Sequence, residues 1–231
     1  MPTATAAVEP AAWDPHSKIP TDTPLSDLPV TGLAVATAGL DPVASPLLGL
    51  QTASDDDIRA SLFRPDQPLP ADGSARRSLA LSHVTATDLA GGRRWEPIRP
   101  RLAAYLGRLQ EGAVVTTHNA AYHLAVLAAR RIVPPPVVCT MRVALALGLP
   151  QRLDQLAYTL GVPVTDRGPN TGGADAVTPV KVWSVLGGRL GTKGVWTWGD
   201  LLALEVARPV DRAAWPDAVR AAWRRGGGGA A

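Results

Sequence analysis

The stretch Thr31-Gly-Leu-Ala-Val-Ala-Thr-Ala-Gly-Leu-Asp-Pro42 constrains the chain more than any other segment. It reads as a buried strand over residues 30–38, closed by a tight turn at Gly39-Leu-Asp-Pro42. Between Gly32 and Leu40 the one polar side chain is Thr37, although many enzymes place a catalytic carboxylate in this kind of strand-and-turn segment. Residues 46–53 read as a second strand, Asp55-Asp-Asp57 as a turn, and residues 58–63 as a third strand. The three form an antiparallel meander.

Beyond the meander the pattern changes. Residues 64–92 are broken by prolines and paired glycines and read as a loop with a short helix near Thr85. From Trp95, the residues Ile98, Leu102, Tyr105, Leu106 and Leu109 recur at three-to-four spacing and predict an amphipathic helix to Gln110. Residues 113–117 form a short β-branched strand, residues 120–131 a helix, and residues 136–139 another strand, so this half of the sheet is expected to be parallel. Further helices are predicted over 141–147, 153–160 and 175–186, with two short helical stretches after Gly187.

Composition narrows the function classes. With 231 residues, 46% of them hydrophobic, the chain can bury a substantial core. The most apolar stretch, Val30 to Leu50, is interrupted by Asp41, Pro42 and Pro46, so no membrane span is expected. The first fifteen residues carry neither a basic start nor an apolar run, which predicts a cytoplasmic protein. A single cysteine, Cys139, rules out an internal disulfide and a cysteine-rich zinc site. Residues 1–75 hold ten acids and three bases, net −7, whereas residues 76–231 are net +10, and 20 of the 23 basic residues are arginine. That balance suits phosphate contact, and a GC-rich coding sequence explains it equally well.

Three segments in order carry a resemblance. Ala34-Val-Ala-Thr-Ala-Gly-Leu-Asp-Pro42 resembles D-x-E-T-T-G-L-D-P; Val115-Thr-Thr-His-Asn-Ala-Ala-Tyr-His-Leu124 resembles V-A-H-N-A-x-F-D-L; and Asn170-Thr-Gly-Gly-Ala-Asp-Ala176 resembles H-x-A-x-x-D-A. Ser82-His-Val-Thr85, Cys139-Thr-Met141 and Leu153-Asp-Gln-Leu-Ala157 are supporting matches. Together these motifs are similar to those of the DEDDh 3′–5′ exonuclease superfamily, the proofreading-subunit and ribonuclease T type. The resemblance implies an α/β, ribonuclease H-like mixed five-stranded sheet, an antiparallel meander followed by parallel strands, flanked by helices.

The family's chemistry gives weight to the departures. Its four carboxylates hold two divalent cations, Mg²⁺ or Mn²⁺, about 4 Å apart, and a histidine serves as general base. The matching positions here are Ala34, Ala36, His123 and, for the histidine, Asn170, leaving Asp175 as the retained acid. A methyl group cannot ligate a hard cation, and an amide is not a base near neutral pH. The expectation is a catalytically inactive exonuclease-like domain with no catalytic residue set intact, no metal and no cofactor. His118, His123 and Asp175 are donors that zinc can use in principle, but such histidines are more often hydrogen-bonded structural groups.

Binding can outlast catalysis. Carried over from the family, the nucleic-acid contacts fall on Thr37, Ala38, Gly39, His118, Asn119 and Tyr122, with single-stranded DNA or RNA as partner. For Asn119 and Tyr122 the alternatives are a helix cap and a core position. The second functional class is a protein-interaction or scaffolding module that meets its partner through the C-terminal extension, and the third is a residual exonuclease. The expected organisation is an N-terminal arm over 1–28 outside the core, an exonuclease-like domain over 29–188, a Trp-rich helical extension over 189–225 and a tail over 226–231.

Overall fold

Eight residues of the opening stretch, Val30–Thr37, form the central strand β1. In the computed structural model the described residues are 19–204, apart from 55–56, 72, 110–111, 133–136 and 165–173. Strands β2 (Leu47–Ala53) and β3 (Ile58–Leu62) continue antiparallel from β1 on one side, and β4 (Val114–Thr117) and β5 (Val137–Cys139) add in parallel on the other. The sheet order is β3-β2-β1-β4-β5, the mixed arrangement that the change of pattern predicts. β1 is almost wholly buried because helices cover both of its faces.

On one face, α5 (Thr140–Ala146), α6 (Leu153–Leu160) and α7 (Ala174–Gly191) pack with Val114 and Val138 around Val143, Leu156, Val182, Trp183, Leu186 and Leu190. On the other, α3 (Trp95–Leu109) and α4 (Ala120–Ala129) cover Leu33, Val35, Val115 and Val137. α7 lies directly on β1. A Cβ built on Gly32 falls 2.0 Å from the Ala176 carbonyl oxygen, so only glycine lets this helix approach.

Several expectations need correction. Residues 64–92 hold two helices, α1 (Ser74–Leu81) and α2 (Ala86–Ala90), rather than a loop with one short helix. Thr85 starts α2 with a capping box, in which it accepts from the Asp88 N–H while Asp88 accepts from the Thr85 N–H. α1 is short and flanked by Gly73, which hides it from a periodicity reading, but Ala75 buries it against Ala38 and Leu48. Residues 19–28 do not lie outside the core. Ile19, Leu25 and Leu28 are buried with Trp198 and Leu201, and backbone bonds tie Leu25 to Trp196, Thr23 to Trp198 and Thr21 to Gly199. An irregular strap of this kind has no repeat for a pattern to reveal. α7 runs past Gly187 and Gly188 because Leu186 and Leu190, four apart, are both fully buried, and that packing overrides the low helix propensity of glycine.

The final described helix, α8 (Trp198–Ala203), opens with a second capping box, Thr197 with Asp200. Trp198 is buried while Trp196 is 65% exposed; Trp215 and Trp223 lie outside the described residues. Among the described residues no helix is long and apolar enough to cross a membrane.

Candidate functional site

Pairing between β1 and β4 stops at Gly32 and Thr116, so the far half of β1 is bonded only to β2 on its other edge. Ala34 and Ala36, two apart, stand on one face of that half, opposite Gln51 and Gly49 of β2. They form the floor of a cleft of about 270 Å³ whose polar lining includes Gln51, Ser61, Ser82, Asp88, Arg93 and Asp175. Ala34 and Ala36 of the first segment and Asp175 of the third thus line one cleft on the α7 face of the sheet. Asp175 sits in the first turn of α7, where its backbone N–H donates to Gln51 Oε1 at 3.1 Å. Gln51 thus supplies an acceptor to an otherwise open helix start. Asp88 is held ionised, since the hydroxyl and then the backbone of Thr85 keep its carboxyl below the usual carboxylate value.

His123 occupies the gap where β1 has lost β4. Its Nδ1 accepts the Val35 N–H at 3.2 Å, which satisfies a strand amide that would otherwise have no partner. Desolvation, with the nearby His118 adding to it, pulls this imidazole from 6.5 to about 4, while a hydrogen bond with the His118 backbone acts the other way. The ring is therefore neutral near pH 7 and its Nδ1 lone pair is in use.

This has a consequence for pH. The unfolded chain protonates His123 near 6.5 and the folded chain only near 4, so stability is full above that window and is lost as pH falls through it. The loss from this residue is on the order of 3 kcal/mol at most. Urea midpoints at pH 7.5 and 4.5 should differ by less in a His123→Gln variant than in the parent chain; equal differences would remove His123 from the account.

The turn after β1 is locked. The Gly39 carbonyl oxygen lies 2.7 Å from Thr37 Oγ1 and 2.9 Å from Tyr122 Oη, and the two hydroxyls touch each other, so one hydroxyl donates to the carbonyl and the other donates to its neighbouring hydroxyl. Thr37, Ala38 and Gly39 are buried, whereas Leu40, at 86%, and Asp41 are exposed. Arg130 holds the other end of the loop, donating through Nη1 to the Pro42 and Val126 carbonyls and through Nη2 to Ser45 O. Burial draws its pKa below the ordinary arginine value, and carbonyls rather than a carboxylate satisfy it.

The remaining candidates separate. Asn119 is exposed and takes the left-handed conformation, φ 58° and ψ 53°, at the start of α4; its side chain makes no capping bond, contrary to the alternative that it caps the helix. Asparagine tolerates this conformation well. His118 lies 2.9 Å from Thr140 Oγ1 through Nδ1 and donates through Nε2 to the Gln151 carbonyl at 2.7 Å. Among the described residues no three His, Cys, Asp or Glu side chains gather as a metal set. Asn170 lies outside the described residues. Sequence reasoning missed Gln51 and Arg93; Gln51 is a polar residue within an apolar strand, a signal that was there to be read.

No family model and no curated protein matches the sequence. Solved structures do match the fold. Exonuclease X in complex with 5′ overhanging duplex DNA is 22% identical, with 76% of this chain and 98% of that one covered, at a TM-score of 0.50. E. coli exonuclease I in complex with a dT13 oligonucleotide is 10% identical over 72% of this chain and 43% of its own length, at 0.55. This is an exonuclease fold. Brucella melitensis NrnC gives the same result, 15% identical over 78% of this chain and 81% of that one, at 0.52. At these identities the likeness is one of architecture.

Proposed function

We propose that this chain is a pseudo-exonuclease, a domain that keeps the nucleic-acid cleft of its fold and has lost metal-dependent hydrolysis. One observation carries the reading: the cleft floor is two alanine methyls, Ala34 and Ala36, where paired hard cations need carboxylates. The residues present do not fit a two-metal centre. Asp175 is the retained acid, and the His123 Nδ1 lone pair is committed to Val35.

Nucleic-acid binding is favoured by the same change. Each carboxylate absent from the floor is a negative charge that no longer opposes phosphate, so a strand can enter without cations to shield it. Arg76 and Arg77 of α1 and Arg93 and Arg94 after α2 are exposed close to the cleft residues in the chain. Leu40 projects from the locked turn, where an apolar side chain on a rigid backbone suits contact with an unstacked base. Exonuclease X and exonuclease I, which share the fold, are seen with DNA.

The test uses the whole chain with 3′-labelled single- and double-stranded DNA and RNA, with Mg²⁺ or Mn²⁺ and then with EDTA. The expected result is no shortening in either metal and salt-dependent binding that persists in EDTA. Metal-dependent 3′→5′ degradation would overturn the reading. A second reading, a protein-interaction module, has the exposed Trp196 in its favour, at the lip of an apolar groove lined by Leu25, Leu28, Trp183 and Val195. It takes precedence if no oligonucleotide binds at low salt.

A further inference from the structure

The polar groups around the cleft are unequal in what they leave open. Asp88 accepts the Thr85 N–H and hydroxyl through Oδ2 and keeps its negative charge, and Gln51 spends its oxygen on the Asp175 N–H, which leaves its amide N–H groups as donors. Ser61 and Ser82 add hydroxyls, and Arg93 is the cation of the lining. Among the described residues the Arg93 guanidinium has no ion pair.

Its backbone is fixed from both sides. The Arg93 N–H donates to Leu62 O at 2.9 Å, and its carbonyl accepts the Arg64 N–H at 2.9 Å. Gly92 before it packs so closely that a Cβ there falls 2.7 Å from the Arg64 nitrogen. The guanidinium thus starts from a rigid point beside a floor of small residues.

Resting on the nucleic-acid reading above, we propose that the cleft takes a strand terminus that bears a phosphomonoester, and that Arg93 is the residue that recognises it. A phosphodiester carries a single charge, whereas a terminal phosphate carries about −1.5 to −2 near pH 7 and presents three strong acceptor oxygens. The arginine fork matches those oxygens in a bidentate pair. A cleft furnished with four carboxylates would repel such a terminus more strongly; here two of those positions are Ala34 and Ala36, and the acids left in the lining are Asp88 and Asp175, against which Arg93 must supply the attraction. At about 270 Å³ the space is small for a ligand pocket and suits one terminal phosphosugar better than a longer segment.

The experiment compares dT12 carrying a 3′-phosphate, a 5′-phosphate or hydroxyls at both ends, each bound by the full chain in EDTA and followed by fluorescence anisotropy. One phosphorylated form should bind about tenfold more tightly than the hydroxyl form, roughly 1.4 kcal/mol, and which one does so identifies the end that enters. In Arg93→Gln that advantage should vanish, while Arg93→Lys should keep part of it; circular dichroism checks that each variant is folded. Equal affinity for all three oligonucleotides in the parent chain, or an advantage that survives Arg93→Gln, overturns the assignment and leaves the nucleic-acid reading standing. No binding to any of them overturns both.

Discussion

Placing two carboxylates on the cleft floor, Ala34→Asp with Ala36→Glu, should weaken oligonucleotide binding in EDTA by at least about a hundredfold, or 2.7 kcal/mol. Both positions are on the floor of the cleft, and Ala34 is only 6% exposed. A carboxylate about 5 Å from a phosphate at an effective dielectric near 20 costs roughly 3 kcal/mol. Two of them side by side partly suppress each other's ionisation, because adjacent carboxyls share a raised pKa, and this brings the total below the simple sum. The isosteric pair Ala34→Asn with Ala36→Gln fills the same space without charge and should bind nearly as the parent does. Comparing the two variants separates electrostatics from crowding. If the acidic pair binds in EDTA as tightly as the amide pair, the idea that lost carboxylates opened the cleft to phosphate fails.

The sheet was largely legible because its signals are local. β1, β2 and β3 begin and end within about a residue of where the turn chemistry at Gly39-Leu-Asp-Pro42 and the acidic run before Ile58 place them. The helices that periodicity missed are those whose burial depends on distant partners, α1 against Ala38 and the end of α7 against the strap of residues 19–28. The site divides along the same line. That Ala34, Ala36 and Asp175 meet was readable from the motif resemblance, whereas the role of His123 was not. Its imidazole reads as a lost metal ligand until the register shows β4 leaving β1 at Gly32, and only then does the Val35 N–H emerge as a group in need of an acceptor. Gln51 is similar, since its partner Asp175 lies 124 residues away. No window along the chain contains both.

The close approach of α7 to β1 at Gly32 yields the largest expected effect on stability. Gly32→Ala should destabilise the fold by about 3–4 kcal/mol, a large share of the roughly 5–15 kcal/mol that holds an ordinary domain. The new Cβ would stand 2.0 Å from the Ala176 carbonyl oxygen and 2.8 Å from Val180 Cγ2. Val180 can rotate; the helix backbone cannot move alone, because Ala176 is fully buried and Val182, Trp183, Leu186 and Leu190 fix α7 in the core beyond it. Strand β1 cannot yield either, since Gly32 pairs with Ala53 on one side and Thr116 on the other. The added methyl must therefore lift the start of α7 off the sheet, which also separates Asp175 from Gln51. Overpacking that side chains absorb costs about 1–3 kcal/mol, so a clash with backbone on both sides belongs at or above the top of that range. Gly49→Ala is the internal control: its nearest neighbour is Ser61 O at 3.4 Å, with Leu62 Cδ2 at 3.5 Å, and it should unfold within about 1 kcal/mol of the parent. Urea denaturation of the three chains decides the matter. A Gly32→Ala chain as stable as Gly49→Ala would mean that α7 does not rest on β1, and the cleft that depends on that contact would have to be redrawn.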